Sequence, residues 1–314
     1  MTPALVLTAG LATRLRPLSF VRAKAALPIG DLAIIQRILR WLAGYGIDDA
    51  VLNLHHLPHT ITRIVGDGAA ERVRVRYSWE MPVLGSAGGP RRALPLLASP
   101  TFLIVNGDTL TNVDVSGLVD AHRRSGVLVT MAVIANTEPA KYGGVAADDR
   151  GAVTGFTSAG SPEPSFHFIG VQVVEGAAFA ALPDNMPAES VKDLYPRLIA
   201  AQPGSIRAFI TDAEFSDIGT PRDYFDTCMR VRAKERVGSG LPAPGSRVED
   251  SILWDDVQID PGARLRRCVV TDGVRVPAGS WENMIIRRAN GDVAANEQRI
   301  DDLAIAPIDG TPHR

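Results

Sequence analysis

Cysteine is nearly absent from this 314-residue chain, which holds only Cys228 and Cys268. Nothing around either suggests a disulfide framework or a metal knuckle, and the pair fits a reducing compartment. Long hydrophobic runs are also lacking. None approaches the roughly 20 residues that a spanning helix needs, and the first apolar stretch, Ala4 to Ala9, is too short for a signal peptide's core. Charge of one sign is not in excess, since the formal net charge is −2. No global field therefore draws the chain to nucleic acid or membrane, and any anion recognition must be local. Trp41, Trp79, Trp254 and Trp281 are scattered and offer no stacking platform for nucleic acid. What remains is 46% hydrophobic and 22% charged residues, a composition that builds a large globular core. A soluble cytoplasmic protein is the expectation.

The first two thirds alternate strand-like and helix-like segments. ALVLTA (4–9) ends at a glycine, and IIQRILRWLAGYGI (34–47) spaces its apolar residues as a helix does. AVLNLHH (50–56) reads as a strand and VRVRYSW (73–79) alternates with period two. TFLIVNGDTL (101–110) is an apolar run broken at Asn-Gly-Asp, VSGLVDAHRRSG (115–126) is helical, and VLVTMAVI (127–134) is again an apolar strand. This rhythm predicts an α/β fold with a mostly parallel sheet covered on both faces. Ligands of such sheets sit beyond the strands' carboxyl ends, so the turns after Ala9 and Val105 matter first. His55, His56 and His59 follow a strand and are interrupted by Pro58, a pattern expected of a polar strand end.

Composition changes near Val237, where VGSGLPAPGS (237–246) reads as a linker. Beyond it PGSRVEDSILWDDVQI (244–259) aligns with PGARLRRCVVTDGVRV (261–276) at an offset of 17. Asp255 matches Asp272 and Val257 matches Val274, and a third copy starts at 278–280. Apolar residues every five or six positions with Pro-Gly corners predict turns of a parallel β-helix. Two or three coils bury little core alone, so the piece is expected to pack on the main domain or on another subunit. The expected domains are 1–236, a linker at 237–247, and a short C-terminal domain at 248–314.

The turn after the first strand carries Thr13-Arg14-Leu15-Arg16-Pro17. Small-residue turns offer backbone amides to phosphate oxygens and arginine adds a fixed cationic fork. The spacing after Gly10 fits neither a dinucleotide fingerprint nor a Walker loop. AGLATRLRPLS followed by RAKAALP nevertheless resembles the signature of the sugar-1-phosphate nucleotidyltransferases, AG-x-G-T-R-L-x-P-L-T and then P-K-P. The resemblance continues in the family's order through GYGIDDAVLNLHHLPHTI, WEMPVLGSAGG (79–89), VNGDTL (105–110), YGGVAADDRGAV (142–153), FIGVQVVE (168–175) and FSDIGTPRDY (215–224).

The resemblance implies a Rossmann-like mixed, mostly parallel sheet sandwiched by helices, with a small left-handed β-helix-like tail. It implies a magnesium-assisted, in-line transfer of a nucleotidyl group from an NTP to a sugar 1-phosphate. Arg14 and Lys24 would grip the phosphates, and Asp108 and Asp217 would hold Mg2+. Gly10, Leu11, Ala12, Thr13, Glu80, Gly85, Ser86, Ala87, Gly88, Asn106 and Gly107 would meet the nucleotide. The small residues from Gly85 to Gly88 would leave room for the base. Gly143 and Gly170 would meet the sugar. Arg16 and Arg22 receive no role. The LGSAGG loop leans toward a mannose-1-phosphate guanylyltransferase-like branch. No membrane or nucleic-acid partner is implied, and the resemblance is compatible with a homo-oligomer through the tail.

Three departures stand out. Ala12 replaces the family's glycine and fits only if its φ is negative. Ala23 replaces a proline. The Glu-Lys pair expected after the YG segment is missing: Thr157 and Ser158 stand there, and Phe168 replaces an asparagine. His167 or Lys192 are candidates for the acceptor phosphate. The altered acceptor half keeps two alternatives open. One is a cytidylyl or uridylyl transferase with an unusual phosphorylated acceptor; the other is a non-catalytic nucleotide-sugar-binding paralogue.

Overall fold

The computed structural model describes residues 2–235 and 244–310; most of the expected linker at 237–247 lies outside them. The chain divides into two compact units. One holds residues 1–10 and 35–216, and the other holds 11–34 and 217–314.

The first unit is built on nine strands: β1 (Ala4–Leu7), β2 (Asp49–Leu54), β3 (Arg74–Trp79), β4 (Thr101–Asn106), β5 (Val129–Ala135), β6 (Gly144–Ala147), β7 (Val153–Thr157), β8 (Phe166–Glu175) and β9 (Ile206–Ile210). Their order is β7-β6-β8-β4-β1-β2-β3, with β5 beside β8 and β9 beside β5. β1, β2, β3 and β4 run parallel, as does the β5–β9 pair. β8 is antiparallel to β4, β5 and β6, which makes the sheet mixed. Helices α1 (Ile34–Gly44), α2 (Pro58–Val65), α3 (Gly85–Leu97), α4 (Val115–Ser125) and α5 (Tyr195–Ala201) connect the strands. The apolar runs become strands because both faces are covered: Leu5, Val51, Phe102, Ile104, Met131 and Val133 are all buried in one core. The turns expected after Ala9 and Val105 begin instead after Leu7 and Asn106, where β1 and β4 end.

The second unit joins the 11–34 segment to α6 (Pro221–Glu235) and the C-terminal repeat. Residues 11–34 form one-turn helices at Thr13–Leu15, Leu18–Phe20 and Lys24–Ala26, then a small hairpin of Pro28–Ile29 with Leu32–Ala33. In the repeat Val248 pairs with Leu265, Ile252 with Val269 and Ile259 with Val276, all parallel. Each pairing keeps the offset of 17 read in the sequence. The third coil is fuller than its faded sequence suggests: Leu265 pairs onward with Trp281 and Val269 with Ile285. Leu265, Cys268, Val270, Val274, Val276 and Ile286 fill its interior. The coil then stops, because Met284–Arg288 pairs antiparallel with Leu303–Pro307, which in turn pairs antiparallel with Gln298–Ile300. Cys228 and Cys268 are buried and not in a disulfide. Among the described residues no helix is long and apolar enough to cross a membrane.

Candidate active site

In the first unit the parallel register brings three strand ends level. Leu7 lies opposite Asn53 on one side and Asn106 on the other. Buried Asn53 ties the end of β2 to the residues that follow β1 and β3: its Oδ1 accepts from the Thr8 amide at 2.6 Å, its carbonyl accepts from the Thr8 hydroxyl, and its Nδ2 donates to Glu80 Oε1 at 2.7 Å. Sequence reasoning missed Asn53, although a polar residue inside the apolar run AVLNL is a visible signal. Gly107 donates its amide to Leu7 O at 2.9 Å, and a Cβ at Gly107 would stand 2.5 Å from that oxygen. Only glycine therefore permits the Asn106-Gly107-Asp108 turn to fold back on β1. Asp108 is half-buried at this turn. Gly170, at φ +76°, approaches the same turn: a Cβ there would be 2.8 Å from Asn106 Nδ2.

Glu80, expected at the base or ribose, has a different duty. It is 4% exposed, accepts from Asn53 with one oxygen, and accepts from the Leu84 amide with the other at 2.7 Å. Its carboxylate shapes the loop that follows. The small residues of that loop also need a corrected explanation. Gly85 opens α3, and a Cβ at Gly88 would stand 2.4 Å from Met186 O. The Ala87 and Gly88 amides donate to Ala188 O at 2.9 and 3.2 Å, and Ser86 Oγ donates to Glu189 Oε2 at 2.6 Å. The close approach that demands small residues here is made by the chain's own 186–189 segment.

Gly143, expected at the sugar, borders a cavity of about 820 Å³ that Thr157, Ser158 and Lys192 also line. Thr157 and Ser158 thus share a cavity with one of the two basic candidates. The other, His167, faces a different way, with its ring 4.2 Å from that of Tyr142 and 4.9 Å from that of Phe215. Burial in this aromatic box holds its imidazole below the usual histidine range, opposed in part by the Gly143 backbone. Phe168 packs against the core of the sheet.

The second unit carries Arg14, Arg16, Arg22 and Lys24. Gly10 and Leu11 are exposed at the start of the turn. Ala12 has φ +49° and ψ +45°, the left-handed region, so the expectation of a negative φ is overturned. The turn keeps the glycine-type backbone, and its carbonyl is held by Ser19 Oγ at 2.9 Å and the Leu15 amide at 3.0 Å. The one-turn helix after it buries Leu15 and leaves Thr13 and Arg14 exposed. Arg14, Asp217 and Asp223 converge on Gly219. A Cβ at Gly219 would lie 3.0 Å from Asp217 Oδ2, 3.3 Å from Asp223 Oδ2 and 3.6 Å from Arg14 Nη2. Lys24 Nζ stands 3.9 Å from Asp217 Oδ1. Asp223 is committed to the Thr220 amide and hydroxyl at the start of α6. Arg16 is exposed, with its guanidinium 5.0 Å over the Phe20 ring. Arg22 is no surface charge: it is 5% exposed and bonded to Asp255 and Asp272.

A carboxylate is the ligand type that a hard divalent cation takes. Asp217 presents its carboxylate into the small space that a Gly219 side chain would fill. Among the described residues no group of three or more His, Cys, Asp or Glu could hold a metal alone. Mg2+ commonly takes one or two carboxylates and completes its shell with water and substrate phosphate.

With this geometry the comparisons with known proteins agree. The family model described as nucleotidyl transferase matches residues 3–234, and the chain belongs to that family. A second model, the GlmU-like C-terminal hexapeptide, matches 241–281, and the parallel coils there are consistent with a left-handed β-helix. The chain is similar to the mannose-1-phosphate guanylyltransferase of Mycobacterium tuberculosis, with 28% identity covering 88% of this chain and 81% of the relative. It is also similar to the UTP–glucose-1-phosphate uridylyltransferase of a Synechocystis species, at 27% identity covering 87% and 76%. The structure of HddC from Yersinia pseudotuberculosis complexed with GMP-PN has the same fold. Its TM-score is 0.65 at 22% identity, with 73% of this chain and 99% of that chain covered.

Proposed function

We propose that this chain transfers a nucleotidyl group from an NTP to a sugar 1-phosphate and releases pyrophosphate. The observation that carries the reading is the approach of Arg14 and Asp217 to Gly219, with Lys24 Nζ 3.9 Å from the same aspartate. Such a reaction brings polyanions together, so its demand is charge neutralisation and in-line positioning with little acid–base work. Arg14, exposed on its one-turn helix, binds the phosphates that leave. Lys24 neutralises the α-phosphate as its charge rises during attack. Gly10, Leu11, Ala12 and Thr13, with Asn106, Gly107 and the first turn of α3 from Gly85 to Gly88, bind the nucleotide, while Glu80 holds the Leu84 amide just before that turn. Gly143 and Gly170 border the sugar. Asp108 and Asp217 would hold Mg2+, which when bound supplies charge neutralisation at the phosphate oxygens.

GTP and mannose 1-phosphate are the favoured substrates, supported by the names of several relatives. The Synechocystis relative and the altered residues Thr157, Ser158 and Phe168 favour a second reading, a uridylyl or cytidylyl transferase with a different phosphorylated acceptor. A homo-oligomer through the repeat and a cytoplasmic location accompany either reading. Pyrophosphate release over a panel of NTPs and sugar phosphates with Mg2+ is the test. Turnover with one pair supports transfer. Binding of a nucleotide sugar with no turnover by any pair would leave a non-catalytic binding protein.

A further inference from the structure

Asp255 and Asp272 occupy equivalent places in successive coils, 17 residues apart. A parallel β-helix stacks such positions at about strand spacing, roughly 4.8 Å, where two carboxylates repel. Here a cation joins them. Arg22 Nε donates to Asp272 Oδ2 at 2.7 Å, and its Nη2 donates to Asp272 Oδ1 at 2.5 Å and to Asp255 Oδ2 at 2.6 Å. The Asp255 amide adds a donor to Asp272 Oδ1 at 3.2 Å. The guanidinium lies 5.2 Å over the ring of Trp254, the residue before Asp255. A fork held by one carboxylate on two atoms is geometrically fixed in a way a single contact is not.

The same tryptophan reaches the 11–34 segment again. Trp254 Nε1 donates to Tyr224 Oη at 2.9 Å, and Tyr224 Oη donates to Pro28 O at 2.7 Å. Both rings are buried and meet edge to face at 6.3 Å. The repeat therefore grips this segment at Arg22 directly and at Pro28 through Tyr224. Lys24 lies between the two anchors, on the one-turn helix Lys24–Ala26 closed by the Leu27 amide on Lys24 O at 3.1 Å.

We propose that Arg22, Trp254, Asp255 and Asp272 form a positioning device. Through it the C-terminal repeat fixes the segment carrying Lys24, which makes the repeat a working part of the transfer site. The catalytic half of this inference rests on the reading that Lys24 acts on the transferred phosphate. Arg22 is a positioning residue, two places from the lysine. The reason for a buried, doubly paired arginine there is geometric: a lysine on a loose segment would have to be ordered during the reaction.

The test uses the full chain and four variants. Arg22→Met keeps the aliphatic stem over Trp254 and removes the fork; Asp272→Asn keeps the shape and removes the charge. Arg22→Lys restores charge without the fork, and the exposed Arg264→Met is the control. Hydrogen exchange without substrate, read on peptides covering 23–28, is expected to quicken by about tenfold in Arg22→Met and Asp272→Asn. In the same two variants kcat for pyrophosphate release is expected to fall about 10- to 100-fold, with KM for the NTP changed far less. Arg22→Lys recovers part of both, and Arg264→Met matches the wild type. Unchanged exchange overturns the tether. A lowered Tm with an unchanged kcat overturns the positioning role. If the wild-type chain turns over no substrate pair, the transfer reading fails, while exchange still decides the tether.

Discussion

Arg287 and Glu297 face each other as a fully buried ion pair, with Arg287 Nε and Nη2 both 2.6 Å from the two oxygens of the carboxylate. The arginine spends its remaining donors on the carbonyls of Arg288, Asn290 and Asp292, and its plane lies 5.1 Å from the Phe20 ring. Glu297 also accepts from the Ala294 amide at 2.6 Å. One side chain thereby closes the turn between the third coil and the antiparallel strands. Arg287→Met leaves Glu297 buried and uncompensated, which is expected to cost about 3–5 kcal/mol. Urea unfolding monitored by circular dichroism checks it. The double variant Arg287→Met, Glu297→Leu is expected to be clearly more stable than the single one.

Ala12 holds a conformation that glycine adopts freely. Ala12→Gly is expected to stabilise the fold by about 0.5–1 kcal/mol, the relief of left-handed strain less the added unfolded-state entropy. Ala12→Val is expected to destabilise it. Thermal unfolding of the three proteins side by side gives the order.

His167 has its folded-state pKa lowered by burial. A lowered histidine pKa leaves stability intact above the unfolded value of about 6.5, and costs stability as pH falls from there toward the folded value. The wild type is therefore expected to lose more melting temperature between pH 7.5 and pH 5.5 than His167→Phe does. Equal losses would remove His167 from the acid-sensitive groups.

Lys24→Ala is expected to lower kcat for pyrophosphate release by about 100- to 1,000-fold, the scale of losing one preorganised charge donor. Asp108→Asn is expected to abolish turnover while the protein stays folded. Gly219→Ala is the subtler variant, because its methyl would stand 3.0 Å from Asp217 Oδ2 and crowd the carboxylate. It is expected to lower kcat with little change in melting temperature. Steady-state kinetics beside calorimetry separates the three effects.

The sheet was legible because its strands are apolar runs that both faces bury, so β1, β4 and β5 announce themselves by composition alone. The repeat was legible because its offset of 17 is a property of the text. Helix α3 was not. Gly85, Gly88, Gly89, Pro90 and Pro95 argue against a helix by propensity, and burial of Ala87, Ala93 and Leu97 overrides them. Arg14, Lys24 and Asp217 could be named from motif resemblance, and their convergence needed coordinates. Arg22 could not be separated from Arg16, since its partner Asp272 is 250 residues away. A repeated aspartate with no neighbouring base was the only trace of that pairing.

The turn-back after the third coil has a bearing on how this tail can vary. Leu303–Pro307 occupies the edge of Met284–Arg288 that a fourth parallel strand would need. Exposed strand edges invite further pairing, and this one is already taken. Extra coils appended after Pro307 would find no place to dock. A longer tail must arise by inserting a whole 17-residue turn upstream, and such an insertion between Asp255 and Asp272 would separate the two carboxylates that share Arg22. Length in this repeat is therefore tied to the grip on the segment bearing Lys24.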